Sequence, residues 1–419
     1  LYLHIQNKTY NMKLGKHTLL IDGNYFLHSR LFVLPNKKGE QLLGTEDSQK
    51  GLMRKLCIDF ASELRKMSTF VDQIVVTVDS KSWRKDLFPE AQYKGTRVQD
   101  NSVNWKAVFS VYSEWQEILA KQGVVIHQIN GAEADDVIFG WSTQLNNEGR
   151  NCIVWSGDRD LIQLVNYNDA TDAYSLWYYS SRRVLIGFEG FEDLLTKRAT
   201  DTMSNDDLLF NMSSDATAQD QAKENLTEWI RTNRVTTQEI NCDDFIFTKI
   251  IQGDKSDNIR SVVTWTKTAA SGKIMNYSIT EKNANKILDK FKETEGDFTI
   301  DKFFNKDCVN LIVDIIHTTI GKSTPEEIRA RFNQNLDLML LHFNTIPDPI
   351  QKQIYKAIES DLTIMPIVQK LTKMEVILEG TDWLQKKGTA APGGYNPFAG
   401  LKTPETKVQA DSKITKELF

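Results

Sequence analysis

Three short apolar runs limit what this chain can fold into. "TLLID" (18–22), "DQIVVTVD" (72–79) and "NCIVW" (151–155) are brief and partly β-branched, and they read as buried strands. Between them the spacing changes to helical: Leu52, Leu56, Phe60 and Leu64 share one face, and "NWKAVFSVYSEWQEILAKQG" (104–123) is an amphipathic helix closed by glycine. "VVIHQI" (124–129) is a further strand and "EADDVIFGWSTQLNNEG" (133–149) a further helix. Strands alternating with helices predict an α/β fold, a mostly parallel central sheet with helices on both faces. "LWYY" (176–179) and "RRVLIGF" (182–188) read as a hairpin at its edge.

The chain has 419 residues, too many for one small core. Residues 1–190 make the α/β unit, and 191–240 read as an acidic insertion poor in strand signals. Residues 241–387 read as mainly helical. Residues 388–419 hold three of the nine prolines and four glycines and read as a disordered tail. No apolar stretch approaches the ~18–20 residues that span a bilayer, and "LYLHIQNKTYNMKLGKH" is no leader. The sequence does not begin with Met, so its start reads as processed or truncated. Cys57, Cys152, Cys242 and Cys308 lie far apart, which excludes zinc spacing and a disulfide framework and predicts a reducing, cytoplasmic compartment.

In an open parallel sheet, ligands bind outside the carboxyl ends of the strands. Each buried strand delivers acid to that edge: Asp22 from "LLID", Asp79 from "VVTVD", and Asp158 and Asp160 from "SGDRD". "GAEADD" adds Glu133, Asp135 and Asp136, and farther on "GDKSDN" adds Asp254 and Asp257. Any one of these acids is explained as a helix cap or turn residue. Their convergence is not, because like charges packed together cost several kcal/mol unless cations neutralise them. Oxygen donors without His or Cys select hard divalent ions, so two Mg²⁺ are expected, with Mn²⁺ able to substitute. Acid clusters of this size suit two-metal phosphoryl chemistry.

Net charge is −5, which taken alone argues against a polyanion partner; without the nine named acids it becomes +4. The stretch "DSKSWRKDLFPEAQYKGTRVQ" (79–99) is too long for an ordinary connection. It interleaves Lys81, Arg84, Lys85, Lys94 and Arg97 with Trp83, Phe88 and Tyr93, as a single-stranded nucleic-acid channel would.

"LLIDGNYFLH", "VDSKSWRKDLFPEAQYKGTR", "EADD", "SGDRDLIQL" and "GDKSDN", in this order, resemble the flap endonuclease/5′-nuclease superfamily, most closely its T-even phage ribonuclease H branch. The resemblance covers most of 18–190 and 241–360. It implies a PIN-like nuclease domain with a basic arch (80–103), followed by a helical DNA-binding domain whose residues 245–292 match a helix–loop–helix. It implies that Asp22, Asp79, Glu133, Asp135 and Asp158 hold one metal, Asp160, Asp254 and Asp257 a second, and Asp136 either. Lys94 and Arg97 match residues that steer the scissile phosphate, and Arg84 is counted with them as catalytic. Lys81, Trp83, Lys85, Tyr93 and Lys255 are expected to contact nucleic acid.

The implied activity is Mg²⁺-dependent 5′-3′ exonuclease and flap endonuclease action, including RNA primer removal during lagging-strand replication. DNA and RNA–DNA hybrids with 5′ ends or flaps are the expected substrates, and a structure-specific binding or junction-resolving protein is the alternative. A cytoplasmic monomer is expected, in the host cytoplasm if phage-encoded, with no membrane partner. Tyr395, Phe398, Ile414, Leu418 and Phe419 on the tail suggest docking to a sliding clamp or single-strand-binding protein. Two segments depart from the family pattern: "RSVVTWTKTAASGKIMNYS" replaces a glycine-rich hairpin, and the acidic insertion has no counterpart.

Overall fold

The structure is a computed structural model that describes residues 16–35, 41–97, 100–196, 214–381 and 383. The central sheet contains β1 (His17–Asp22), β2 (Val71–Thr77), β3 (Val125–His127), β4 (Cys152–Trp155), β5 (Asn166–Asn168), β6 (Ala173–Tyr179), β7 (Val184–Phe188) and β8 (Thr236–Ile240). Its order is β3-β2-β1-β4-β6-β7-β8, with β5 paired to β6. The run from β3 to β6 is parallel, β6 and β7 are antiparallel, and β8 joins β7 in parallel.

Strand alternation feeds two cores. Leu19, Ile21, Ile153 and Trp155 pack on one face with the helices Glu46–Met67 and Trp105–Lys121. Leu20, Cys152 and Val154 pack on the other with the helices Ala134–Asn147 and Asp348–Asp361. Both faces are therefore covered, which is why the strands read as continuous apolar runs rather than alternating ones.

A third core unites the helices Cys242–Gln252, Glu281–Glu295, Lys306–Ile320 and Pro325–Met339. Between the first two stands an exposed hairpin, β9 (Thr264–Thr268) against β10 (Ile274–Ser278), so the expected helix–loop–helix carries a strand pair in its loop. The chain then returns to the sheet: Ile354, Ile358 and Leu362 enter the second core and Val368, Leu371 and Ile377 the first.

Three features differ from the sequence reading. The β6–β7 hairpin is interior to the sheet, because Thr236–Ile240 pairs beyond it from Val184↔Thr236 to Phe188↔Ile240. The stretch read as an insertion thus ends as an edge strand, and its helix Ser214–Asn233 sends Leu226 and Trp229 into the first core. "TTQEI" gave no strand signal because an edge strand is half-solvated and polar residues suit it. "LIQLV" (161–165), whose spacing after "NCIVW" reads as helical, lies mostly in a 3₁₀ turn, Arg159–Leu164, rather than an α-helix. The tail 388–419 lies outside the described residues.

Candidate active site

The acids occupy the carboxyl edge of β1, β2 and β4, and most of them also close a local turn. Asp22 caps the helix Gly23–Leu31: its Oδ1 accepts the Tyr25 N–H at 2.9 Å and its Oδ2 the Ser156 hydroxyl at 2.7 Å. Gly23 follows because a Cβ there would lie 2.2 Å from the Tyr112 hydroxyl and 2.7 Å from the Thr77 carbonyl oxygen. Asp79, just beyond β2, accepts the Ala134 N–H at 2.8 Å and the Asn24 side-chain amide. Glu133 is the N-cap of the helix Ala134–Asn147, with Asp135 and Asp136 in its first turn. Asp158 caps the 3₁₀ turn, accepting the Asp160 N–H at 2.9 Å. The capping roles and the cluster coexist, since a cap uses one or two lone pairs of a carboxylate and leaves others.

Two more acids come from the turn after Cys242–Gln252. Gly253 begins it at φ +70°, and a Cβ there would lie 2.5 Å from the Arg260 carbonyl group. The buried Asn335 fastens the turn from below, donating to the Ile250 and Arg260 carbonyls at 2.8 and 2.9 Å. Asp254 and Asp257 are thereby presented toward the sheet edge.

Crowding shows in the electrostatics. Burial pushes Asp22 up to about 6, helped by the charges of Asp79 and Asp158 and opposed by its hydrogen bonds from Ser156 and Tyr25. Burial and then Asp158 push Asp160 up to about 6 against the pull of Lys249. Asp135 is raised well above the carboxylate range by burial and by Asp158 and Asp22. Asp158 is raised by desolvation, with Asp257 adding to it.

Side-chain cations bridge the two groups of acids. Lys94 Nζ lies 2.6 Å from Glu133 Oε1 and 3.8 Å from Asp257 Oδ2. Arg97 also pairs with Asp257. Lys249 lies 2.8 Å from Asp160 and 2.7 Å from Asp254. Glu133, which burial alone would raise, is held below its usual value by Lys94 and Arg84, and Asp254 likewise by Lys249. Among the described residues, no three His, Cys, Asp or Glu side chains stand at metal-ligand spacing. The donors are nevertheless all carboxylates, and their mutual repulsion calls for further positive charge. By donor chemistry, the cluster fits hard divalent ions.

Several expected site residues lie elsewhere. Arg84 is interior rather than catalytic: its side chain is 2% exposed, it pairs with Asp136 at 2.8 Å and Glu133 at 3.2 Å, and its Nε donates to the Leu338 carbonyl. Asp136 is correspondingly not available to a metal. Fully buried, it accepts from Arg84 twice, from Trp83 Nε1 at 3.1 Å and from the Glu133 N–H at 3.0 Å. Trp83 is half-buried under Arg84, 4.5 Å from guanidinium carbon to ring, and Tyr93 is buried with its hydroxyl donating to Glu133. Neither ring is an open stacking platform, because Tyr93 is part of the helical core and Trp83 packs against the second core of the sheet. Lys81, Lys85 and Lys255 are exposed, Lys81 pairing with Asp86. The sequence reading missed Lys249, Ser156 and Asn24. Ser156 sits inside "SGDRD" and could have been found there; Lys249 looks like any helix-end lysine until the fold brings Asp160 to it.

An α/β domain with an oxygen-only acid centre at the carboxyl edge of a parallel sheet, closed by an acidic turn from a helical region, is the class defined here. Residues 17–192 match the family described as 5′-3′ exonuclease, N-terminal resolvase-like domain. That domain is therefore similar to the nuclease domains of the 5′-3′ exonuclease family. It is similar to a "5′-3′ exonuclease" of Buchnera aphidicola subsp. Acyrthosiphon pisum, 30% identical over 36% of this chain and 49% of that protein. It is also similar to "DNA polymerase I" of Mycobacterium leprae, 29% identical over 37% of this chain and 16% of that protein. The matched segment thus spans about half of the first relative and far less of the second. Among solved structures, T5 5′-exonuclease with bound zinc overlaps 83% of this chain and 99% of its own, at 16% identity and a TM-score of 0.43.

Among the described residues, no helix is long and apolar enough to cross a membrane.

Proposed function

We propose that the chain is a divalent-metal-dependent 5′-3′ nuclease that hydrolyses phosphodiesters at 5′ ends, flaps and RNA primers during lagging-strand replication. The observation that carries this reading is the set of crowded carboxylates, Asp22, Asp135, Asp158 and Asp160, all raised at one sheet edge and faced by Asp254 and Asp257. The name 5′-3′ exonuclease on relatives of the first domain supports the same reading.

Asp22, Asp79, Glu133, Asp135 and Asp158 would hold one Mg²⁺ or Mn²⁺ ion, and Asp160, Asp254 and Asp257 a second. When bound, the ions supply Lewis acidity and an activated water. Lys94 and Arg97 are the protein's own phosphate ligands. A scissile phosphate would take Lys94 from Glu133 and Asp257, trading one anionic partner for another as charge develops on the phosphate. Lys81, Lys85 and Lys255 offer exposed charge to the flanking backbone. Arg84 and Asp136 do no chemistry; they fix Glu133 and the base of the arch.

The test is metal-dependent cleavage of labelled 5′-flap and nicked RNA–DNA substrates, with Asp135→Asn as control. The variant should lose cleavage while still binding duplex. Full activity in the variant, or in excess chelator, would sink the reading. A partner, sliding clamp or single-strand-binding protein, is proposed for the tail. Deleting 388–419 should abolish stimulation by it and leave cleavage of a free flap oligonucleotide unchanged.

A further inference from the structure

The strap that carries Lys94 has a second side. It is tied where the Asn258 amide donates to the Ala91 and Gln92 carbonyls at 3.1 and 3.2 Å and the Lys94 N–H donates to the Asp257 carbonyl at 2.9 Å. Lys94 and Asp257 point into the acid centre. Gln92 and Asn258 instead line a cavity of about 630 Å³ between the arch and the helix Pro325–Met339. Phe88, Ile259 and Leu338 give it an apolar wall, and Arg260 and Arg331 a cationic one.

Among the described residues, neither arginine forms an ion pair. Burial and then the charge of Arg260 hold Arg331 below the ordinary guanidinium range, against the partial pull of Glu90. Of two acids at the rim, Glu327 is engaged in a capping box, accepting the Thr324 N–H at 2.9 Å, and Glu90 meets Arg331 only through Gln334, whose amide it accepts at 3.3 Å, and through a partial charge contribution. Arg331 itself donates to Gln334, which orients it along the cavity wall. Two like charges facing one concavity are stabilised by an anion between them, and guanidinium groups suit phosphate geometry. An aromatic wall beside them accepts a base of any identity.

We propose that this cavity binds one nucleotide of an unpaired strand, its phosphate between Arg260 and Arg331 and its base against Phe88. The identity of the ligand rests on the nuclease reading; the site itself rests on the cavity. Its position behind Lys94 would let it hold the single-stranded segment that continues past the acid centre.

Binding is measured by fluorescence anisotropy in chelator, with a duplex carrying a 5′ single-stranded extension and with the same duplex blunt. The wild type should hold the extended substrate more tightly. Arg331→Glu should remove that advantage by roughly 10-fold or more, the scale of one charge-assisted contact. Arg331→Lys should keep most of it, and blunt-duplex affinity and melting temperature should not move in either variant. Deoxyadenosine monophosphate should compete with the extension in the wild type better than inorganic phosphate does; equal competition by phosphate would overturn the base contact. An unchanged extension advantage in Arg331→Glu, an equal loss on blunt duplex, or no advantage in the wild type would overturn the site. Metal-dependent cleavage of blunt duplex, assayed separately, distinguishes failure of this site from failure of the nuclease reading.

Discussion

His17 and Arg84 show how single residues in this fold serve structure while resembling candidates for chemistry. His17 is fully buried on β1, with Nδ1 3.3 Å from the Phe70 carbonyl and Nε2 2.9 Å from the Tyr174 hydroxyl, a pairing for the neutral ring. Burial lowers it to about 4, against the pull of the Phe70 carbonyl. Below about 6.5 the unfolded histidine takes a proton that the folded one refuses, so stability is lost as pH falls from there toward 4. At pH 5 the loss should reach about 2 kcal/mol. Urea titrations at pH 7.5 and 5.0 should show the stability of the wild type changing by about 2 kcal/mol more unfavourably than that of His17→Gln, since the raised acids of the centre contribute equally to both; equal changes would exonerate His17. Arg84→Ala should destabilise the protein by about 3–5 kcal/mol, because it strands Asp136 as a buried charge. Lys94→Ala should slow single-turnover cleavage by ~10²–10³-fold with a much smaller effect on melting. The sequence placed both cations in one basic stretch. Only packing separates the one that is sealed inside from the one that faces the acids.

At the scale of elements, the helix Cys242–Gln252 is the hinge of the site. Its Phe247, Ile250 and Ile251 anchor it in the helical core, and its last turn aims Lys249 across to the sheet edge. Lys249 thus joins the 3₁₀ turn of the α/β domain to the "GDKSDN" turn. Lys249→Met should leave Asp160 and Asp254 facing each other without a counterion. In chelator the variant should melt below the wild type, and Mn²⁺ should close most of the gap. A variant that melts like the wild type in chelator would mean that the lysine is only a surface pair, worth little. "GDKSDN" was legible as an acidic turn because its spacing is local. Its lysine partner was not, because the contact with Asp160 spans 89 positions and no local pattern records it.

For the whole molecule, the helical region is not a unit that ends the chain. Residues 346–378 fold back along both faces of the sheet, burying Ile354, Ile358, Leu362, Val368, Leu371 and Ile377. Gly140 makes room for the helix Asp348–Asp361, since a Cβ there would lie 2.5 Å from Ile354. At about 1.5–3 kcal/mol for each buried side chain, removing these six costs about 9–18 kcal/mol, comparable to the whole ~5–15 kcal/mol that holds a typical domain together. A chain cut after residue 345 should therefore be insoluble or lack a cooperative urea transition, although it keeps every acid of the centre. A soluble, cooperatively unfolding truncation would show that the returning segment is an appendage.

The sequence by itself determined the α/β alternation, the sheet edge on which the acids collect and their oxygen-only chemistry. Those follow from side-chain periodicity and from where strands end, which are local properties. It did not determine the polar edge strand Thr236–Ile240, the pairing of Arg84 with Asp136, the reach of Lys249 or the return of residues 346–378. Each depends on contacts between distant segments. There the side chain that a charge meets is chosen by how the elements pack and by which groups are left in water.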